Sequence, residues 1–537
     1  MVSFGRRAGG VYRQKRQPLN PIQPLIAATH VGKYPDLKME YKRPAQSSPN
    51  LKPRLIIHGG AGNIKPTNLT PERYKAIRDS LLGMIARTHT YMFTPKEPAG
   101  IIPTALEVAT YAVTLLEDNP LFNAGKGAVF TRDGIQQLEA SVMVSRGYAK
   151  RAAGVLGLQH VKNPILLARA ILEHGQEDLW GKKGQGHRND VSNRTESDIQ
   201  TEGGDYCSGP ARVDAPSAQG HTLLFGASAE SLAKKYGLEL RPRRYFFTQQ
   251  RWDEHVRSLD KERAGCQAQY LASWSADEYL PQGTTGAVAL DSEGVVCCAT
   301  STGGLTNKLT GRIGDTPTPG AGYWAEEWDD AVSHKVASPY SFWDRAVDAV
   351  RHRGSALEFT GALRELVTDC LLPTPFLYAP VPNPCLSQLA TTRSFATSGT
   401  GNGDSFLRVN AARTAAAIAR WKGISSAEAL TAVTGLNGEL QRSAGDRWMV
   451  TGEGEGGMIG IESVVVRDAE GSIVDSRSEI LQDHNCPGMF RAWVDNDGKA
   501  VFQVWHDGAD IKGHDFVGEG QREDVHDCEK MVPLNDL

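Results

Sequence analysis

QGTTGAVALD at residues 282–291, followed by SEGVVCCATSTGG at 292–304, is the stretch whose reading decides the rest of the chain. Residues 284–290 form an apolar, strand-like run, 291–294 (DSEG) a turn, and 295–302 the returning strand. On such a strand Cys297 and Cys298 point to opposite faces, which favours buried free thiols over a disulfide framework. The Gly283-Thr284 step also has a chemical reading. A threonine hydroxyl is a weak nucleophile unless a base stands beside it. A free N-terminal amine, with a pKa of about 7.7–8.0, can take the hydroxyl proton near neutral pH. The chain creates that amine if Thr284 attacks the Gly283 carbonyl and the peptide between them breaks, and glycine tolerates the backbone distortion this needs. A turn leading into a strand is the plain alternative, and this segment alone does not separate the two.

Its neighbours in sequence add chemistry. The returning strand ends in Thr300-Ser301-Thr302-Gly303-Gly304, which brings hydroxyls beside the start of the first strand. Residues 311–315 (GRIGD) then place one cation and one anion three residues apart. Arg312 suits the carboxylate of an amino-acid ligand and Asp315 its ammonium, although a surface ion pair in a glycine loop has the same pattern. Residues 400–404 (TGNGD) open a helix. The Thr400 hydroxyl and a backbone N–H there can form an oxyanion hole, or simply cap the helix.

Order begins near residue 51. Residues 54–58 (RLIIH) read as a buried strand that stops at the glycines of 59–62. Helices are expected over 71–92, 103–116, 163–174, 227–236 and 249–264. They are also expected over 342–351, 356–371, 406–421 and 426–436. Hairpins turn at 468–471 and 495–498. Residues 180–219 have the polar composition of a disordered linker, and 325–393 form a second irregular region. The whole indicates layered α and β structure. A net charge of −3 argues against a nucleic-acid partner, and no apolar run is long enough to span a membrane. Residues 1–50 form a basic extension with no acid before Asp36. They read as a disordered tail in a cytoplasmic protein, with a mitochondrial presequence as the alternative.

Taken in order, these pieces resemble the plant-type L-asparaginases and isoaspartyl peptidases of the N-terminal nucleophile hydrolases. The matching motifs are HGGAG at 58–62, NPLFNAGKGAVFT at 119–131, GTTGAVALD at 283–291, ATSTGGLTNKLTGRIGDTPTPGAG at 299–322, TGNGD at 400–404 and GEGEGGMIGIE at 452–462. The resemblance implies an α+β fold, a four-layer αββα sandwich, self-cleaved into an α chain of residues 51–283 and a β chain of 284–537, with dimerisation of αβ units. It implies that Thr284 is nucleophile and base in one residue and that Thr302 hydrogen-bonds to it. Arg312 and Asp315, with Gly303, would hold the substrate, Thr400 and Gly401 would donate to the oxyanion, and Asn123 would support the nucleophile. It further implies a structural sodium ion on the carbonyls of Leu116, Glu117, Asn119, Phe122, Ala124 and Lys126, with no organic cofactor or catalytic metal. The implied reaction is hydrolysis of L-asparagine or β-aspartyl dipeptides, releasing L-aspartate.

Asp404 stands where the plant-type group commonly has glutamate, and TGNGD looks more like the related glycosylasparaginases, which remove glycans from asparagine. Against that reading stand Gly283, where those enzymes usually carry aspartate, and Gly303-Gly304, where they usually have Asn-Gly. A different class of reading is an unprocessed binding scaffold that keeps the fold without the cleavage. It is disfavoured because every chemical position is filled. The 325–393 segment falls between the Arg312/Asp315 and Thr400 motifs, so it is expected to lid the site or build an interface.

Overall fold

Strands covered on both faces lose the polar alternation of a surface strand, and the runs after residues 54 and 284 have that character. In the computed structural model, which describes residues 51–97, 100–147, 151–180, 218–264, 273–275, 278, 283–330, 389–422, 424–506 and 515–531, they become the centre of a sheet. The first strands are β1 (Arg54–Gly62), β2 (Leu138–Val144), β3 (Ala152–Leu158), β4 (Leu223–Phe225), β5 (Thr285–Leu290) and β6 (Val296–Thr302). With β11 (Gly488–Val494), β12 (Lys499–Gln503) and β13 (Arg522–Asp524) they make a 9-stranded sheet in the order β13-β12-β11-β1-β5-β6-β2-β3-β4. The remaining strands, β7 (Tyr323–Asp330), β8 (Ala390–Gly401), β9 (Gly456–Arg467) and β10 (Ile473–His484), form a 4-stranded sheet, β10-β9-β8-β7. Every pairing is antiparallel except β3 with β4.

Side-chain direction alternates along these strands and sorts them into separate cores. Leu55, Ile57, Ala287, Ala289, Cys297 and Ala299 face helices α1 (Pro71–Phe93), α2 (Ala105–Asp118) and α3 (Pro164–Trp180); α4 (Gly226–Lys235) and α5 (Gln249–Arg263) follow in the chain. Their neighbours Ile56, Val288, Leu290, Val296 and Cys298 face Tyr323, Ala325, Ala396, Ile459 and Ile461 of the smaller sheet. Cys297 and Cys298 thus enter opposite cores, both as free thiols, as the alternation predicts. The outer face of the smaller sheet is covered by α7 (Ala411–Trp421) and α8 (Ser426–Thr434), which pack on Phe395, Met458 and Leu481. In α7 the buried face is Ala411, Ala412, Ala415, Ala416 and Ala419, small residues that let the helix lie close on the sheet. Local signals fix the ends of the helices. Thr70 caps α1 with Pro71 in its first turn, and Thr104 and Glu107 form a capping box on α2.

Several expectations change. The helix expected over 406–421 is broken into α6 (Gly403–Val409) and α7 by Asn410, which is left-handed at φ 49°. Asparagine tolerates that conformation better than most residues. The break lets the first amides of α7 find carbonyls outside the helix, Ala412 N on Ala321 O and Arg413 N on Gly320 O, tying it to the segment that carries Asp315. The 325–393 segment also begins and ends inside strands: β7 and β8 pair from Tyr323↔Ser398 to Asp330↔Thr391. The helices expected at 342–351 and 356–371, the 1–50 extension and all of the 180–219 linker but its ends lie outside the described residues.

Phe406 of α6 is fully buried and fills the space left by two glycines. A Cβ at Gly399 or at Gly456 would lie 2.5 Å from its ring. Phe406→Ala is expected to cost about 3–5 kcal/mol of folding stability, read as a lower urea midpoint. A loss under about 1 kcal/mol would show that this packing does not hold the end of β8.

Candidate active site

Thr284 sits at the mouth of β5, 3% exposed, and its backbone is held from both sides. Gly283 lies in a slot: an added Cβ would be 2.5 Å from Ala61 N and 2.8 Å from Thr400 Oγ1, so only glycine fits. The Gly283 carbonyl accepts from Asn123 Nδ2 at 3.1 Å. That amide also donates to Gly304 O at 2.7 Å, while Asn123 Oδ1 accepts from Val129 N at 3.1 Å, which fixes its orientation. The Thr284 amide donates to Thr400 Oγ1 at 2.9 Å.

On the other side, the Thr284 carbonyl accepts from His58 Nδ1 at 3.0 Å. Since a carbonyl can only accept, Nδ1 carries the ring proton and Nε2 accepts from Ser398 Oγ at 2.8 Å. Ser398 then accepts from Thr300 Oγ1 at 3.1 Å, giving a single direction of donation from Thr300 to Thr284. Burial pushes the His58 pKa down to about 3, only partly offset by the bond to Thr284, so the ring is neutral and works as a spacer. Gly286 makes room for it; a Cβ there would be 2.4 Å from His58 Nε2.

The hydroxyl facing Thr284 Oγ1 differs from the expected one. Thr302 Oγ1 accepts from Gly304 N at 2.9 Å, a bond within its own turn. Among the described residues, the hydrogen-bond partner of Thr284 Oγ1 is Thr316 Oγ1, at 3.1 Å. Sequence reasoning passed over Thr316 although it directly follows Asp315; the signal was one hydroxyl among several in DTPTPGAG. Gly303 is pressed against Asn123 and Val129, with 2.7 Å and 2.8 Å to a would-be Cβ, and its amide donates to Asn123 O at 3.0 Å.

Arg312 and Asp315 do converge. A Cβ at Gly403, the first residue of α6, would be 2.3 Å from Asp315 Oδ1 and 2.9 Å from an Arg312 Nη. Asp315 is buried, and desolvation raises its pKa to about 7 against the opposing pull of Arg312. Arg312 pairs with Asp404 at 3.0 Å, and the Asp404 side chain is 53% exposed, so this is a rim contact that a ligand carboxylate can replace. Beneath lie two residues that sequence reasoning missed, Glu139 and Lys308, both buried, 3.7 Å apart and not in tight contact. Lys308 also donates to Gln137 O at 3.0 Å, and burial lowers its pKa against the pull of Glu139. Arg312 Nε, Asp315 Oδ2 and Glu139 Oε2 are buried without a hydrogen-bond partner among the described residues. Unpaired groups of this kind gathered in one place mark a binding pocket more than a structural core. Gly401, at φ 139°, cannot carry a side chain, since a Cβ would be 2.4 Å from Glu455 O.

Residues 116–126 are the last turn of α2 and the loop after it, which carries Asn123. Cβ atoms at Gly125 and Gly127 would meet Glu117 O at 2.3 Å and Phe122 O at 2.1 Å, so these carbonyls turn towards the loop's own interior. Arg251 ties the loop down, donating to Gly127 O and Leu121 O, both at 2.9 Å. Carbonyl oxygens suit a hard alkali cation; of the six implied, Glu117 O and Phe122 O lie against the loop's glycines, while Leu116 O, Asn119 O and Ala124 O accept from Asn119 N, Phe122 N and Gly127 N. Among the described residues, one cluster of side chains brings potential ligands together, Asp483, His484 and His506. There the Arg491 guanidinium stands 3.4 Å from His484 Nδ1, an unfavourable neighbour for a metal ion.

Glu117 itself is fully buried, accepts from Ser301 Oγ at 2.6 Å and Ile165 N at 3.0 Å, and has its pKa raised from 4.5 to about 8 by burial. A raised folded pKa contributes stability that is present below 4.5 and lost as pH rises through 8. His58, lowered from 6.5, acts oppositely, losing stability as pH falls from 6.5 towards 3. Glu117→Gln keeps the acceptor and removes the first slope. The melting temperature of the variant relative to wild type is expected to rise between pH 5 and pH 8, by up to about 1.4 kcal/mol of stability per pH unit. A difference that does not change with pH would mean that Glu117 is not a buried neutral acid.

A family model described as "Asparaginase" matches residues 51–189 and 215–334. An isoaspartyl peptidase of Escherichia coli (strain K12) is 34% identical over 279 residues, covering 52% of this chain and 70% of that protein. A plant-type L-asparaginase of Pyrococcus furiosus is 31% identical over 302 residues, 55% of this chain and 79% of that protein. An isoaspartyl peptidase/L-asparaginase of Rattus norvegicus is 30% identical over 279 residues, 52% and 64% respectively. The matched segments carry Asn123, Gly283, Thr284, Arg312 and Asp315, and with them this chain belongs to the asparaginase family.

Proposed function

We propose that the chain is a self-cleaving N-terminal threonine amidohydrolase that hydrolyses L-asparagine, β-aspartyl peptides or both, releasing L-aspartate. The observation that carries this reading is the placement of one peptide bond. The Gly283 carbonyl lies on Asn123 Nδ2, the Thr284 amide on Thr400 Oγ1, and the Thr284 hydroxyl on Thr316 Oγ1. The helices packed on the outer face of each sheet support an αββα sandwich as part of this proposal.

In self-cleavage, Thr284 Oγ1 attacks the Gly283 carbonyl carbon, and Asn123 Nδ2 donates to the oxygen as it gains negative charge. The C–N bond breaks, the hydroxyl proton ends on the departing nitrogen, and water hydrolyses the resulting ester. The freed amine of Thr284 lies against Thr400 Oγ1 and serves as base for its own hydroxyl. Arg312 and Asp315 hold the α-carboxylate and α-ammonium of the substrate, with Asp404 giving way to the carboxylate. Thr400, whose lone pair is engaged by the Thr284 nitrogen, turns its O–H to the oxyanion beside Gly401. Ammonia or an amine leaves, and water releases aspartate from the β-aspartyl ester. These steps use side chains and the freed amine, with sodium as a structural ion in the 116–126 loop. A dimer of αβ units and a cytoplasmic location complete the proposal; no helix among the described residues is long and apolar enough to cross a membrane.

Matured wild-type protein is expected to give two fragments by intact mass, one with the N-terminal sequence Thr-Thr-Gly-Ala-Val. Thr284→Ala is expected to stay one chain and to be inactive. A wild-type chain that remains uncut after prolonged incubation would favour the scaffold reading instead. Asn123→Ala is expected to slow self-cleavage about 10²–10³-fold, the usual effect of removing one oxyanion donor. Cleavage at the wild-type rate in a folded variant would remove Asn123 from this role.

A further inference from the structure

The backbone of Thr284 is clamped at its amide by Thr400 and at its carbonyl by His58. With both ends fixed, the one torsion left to aim the nucleophile is χ1, which has three staggered wells. Only one of these wells points Oγ1 at a given carbonyl. The group in position to select it is Thr316 Oγ1, 3.1 Å away.

Thr316 is itself rigid. It is fully buried, β-branched and so stiff at χ1, and its carbonyl accepts from Ser141 Oγ at 2.5 Å. The preceding carbonyl, of Asp315, accepts from Thr318 N at 2.9 Å and Gly322 N at 3.2 Å. Asp315 and Thr316 are consecutive residues of one braced turn, with Asp315 converging on Arg312 and Thr316 reaching the Thr284 hydroxyl.

We propose that Thr316 is a positioning residue whose hydroxyl fixes the rotamer of Thr284, before self-cleavage as well as after it. Through the turn it shares with Asp315, it also sets the distance from bound substrate to nucleophile. This rests on the amidohydrolase reading above. Thr302, held by Gly304, braces the neighbouring turn.

The test compares Thr316→Val, Thr316→Ser and Thr316→Ala for self-cleavage rate, and for kcat and KM on L-asparagine and a β-aspartyl dipeptide. Thr316→Val keeps the shape and loses the hydroxyl. It is expected to slow self-cleavage and lower kcat by about 10- to 100-fold, the range of a slightly misplaced reacting group. KM is expected to stay within about 3-fold, since Arg312 and Asp315 are untouched, and the pH at which kcat reaches half its maximum to stay fixed, since the amine keeps Thr400. Thr316→Ser is expected to recover most of the loss and Thr316→Ala none. That pair differs only in the hydroxyl, so it decides the matter if the valine variant fails to fold. Val cleaving and turning over as wild type, or Ser no better than Ala, would overturn the inference. Self-cleavage needs no added substrate, so a wild-type chain that cuts itself but hydrolyses neither compound refutes the substrate assignment alone. An uncut wild-type chain overturns both.

Discussion

The side chains that hold the peptide between Gly283 and Thr284 come from Asn123, 160 residues away from Gly283, and Thr400, 116 residues away from Thr284. His58 closes the clamp from 226 residues away. Holding the two peptide units that flank Thr284 by three distant segments requires that β1, β5 and β8 keep their relative positions. The packing of β1 and β5 against helices on one face and the smaller sheet on the other supplies that lock. A one-residue slip of β5 against β1 would exchange the two cores and carry Thr284 out of reach of all three partners. The buried geometry of the peptide is therefore a consequence of sheet register, and it exists only when both sheets and their covering helices are in place.

The charged end of the site follows a different logic. Arg312, Asp315, Glu139 and Lys308 gather in a small buried volume that a stable core would not tolerate without tight pairing. Here the pairing is loose: Lys308 and Glu139 are 3.7 Å apart, and polar atoms on Arg312, Asp315 and Glu139 lack partners among the described residues. Such an arrangement is maintained at a cost in stability, and a zwitterionic ligand would satisfy much of it at once. Asp404, at the rim, neutralises Arg312 in the meantime without burying a further charge.

Much of this was legible in the sequence because it is written in local signals. Apolar runs located β1 and β5, hairpin turns located the ladders of β9 with β10 and β11 with β12, and helical patterning located α1 and α2. The glycines at 283, 303 and 401 were readable as parts of motifs, and in the structure each has an atom pressed close to it. What comes close was not readable, because it arrives from other segments. Thr302 and Thr316 show the limit. Both follow motifs rich in hydroxyls and glycine, and sequence order alone gives no means to tell which hydroxyl reaches Thr284. The decision is made by position: Thr316 Oγ1 stands 3.1 Å from Thr284 Oγ1, and Ser141 braces Thr316 from β2. His58 was likewise visible as part of a glycine motif, but its task depends on Ser398, a partner 340 residues away.

The same reasoning bears on the segment between β7 and β8. The strands pair from Tyr323↔Ser398 down to Asp330↔Thr391, so the chain leaves and re-enters the sheet at the end away from Thr400. From Thr391 to Thr400 the strand advances about 30 Å at 3.3 Å per residue. A segment placed between two active-site motifs in sequence is thus attached far from the site in space. An antiparallel pair puts the joined ends of its strands opposite the free ones. The free ends here are those that carry Thr400 and the turn of Asp315 and Thr316. The groups around Thr284 occupy one rim of the smaller sheet, and Asp330 and Thr391, where the pairing ends, lie at the other, so the residues between them join the sheet away from the clamp on Thr284.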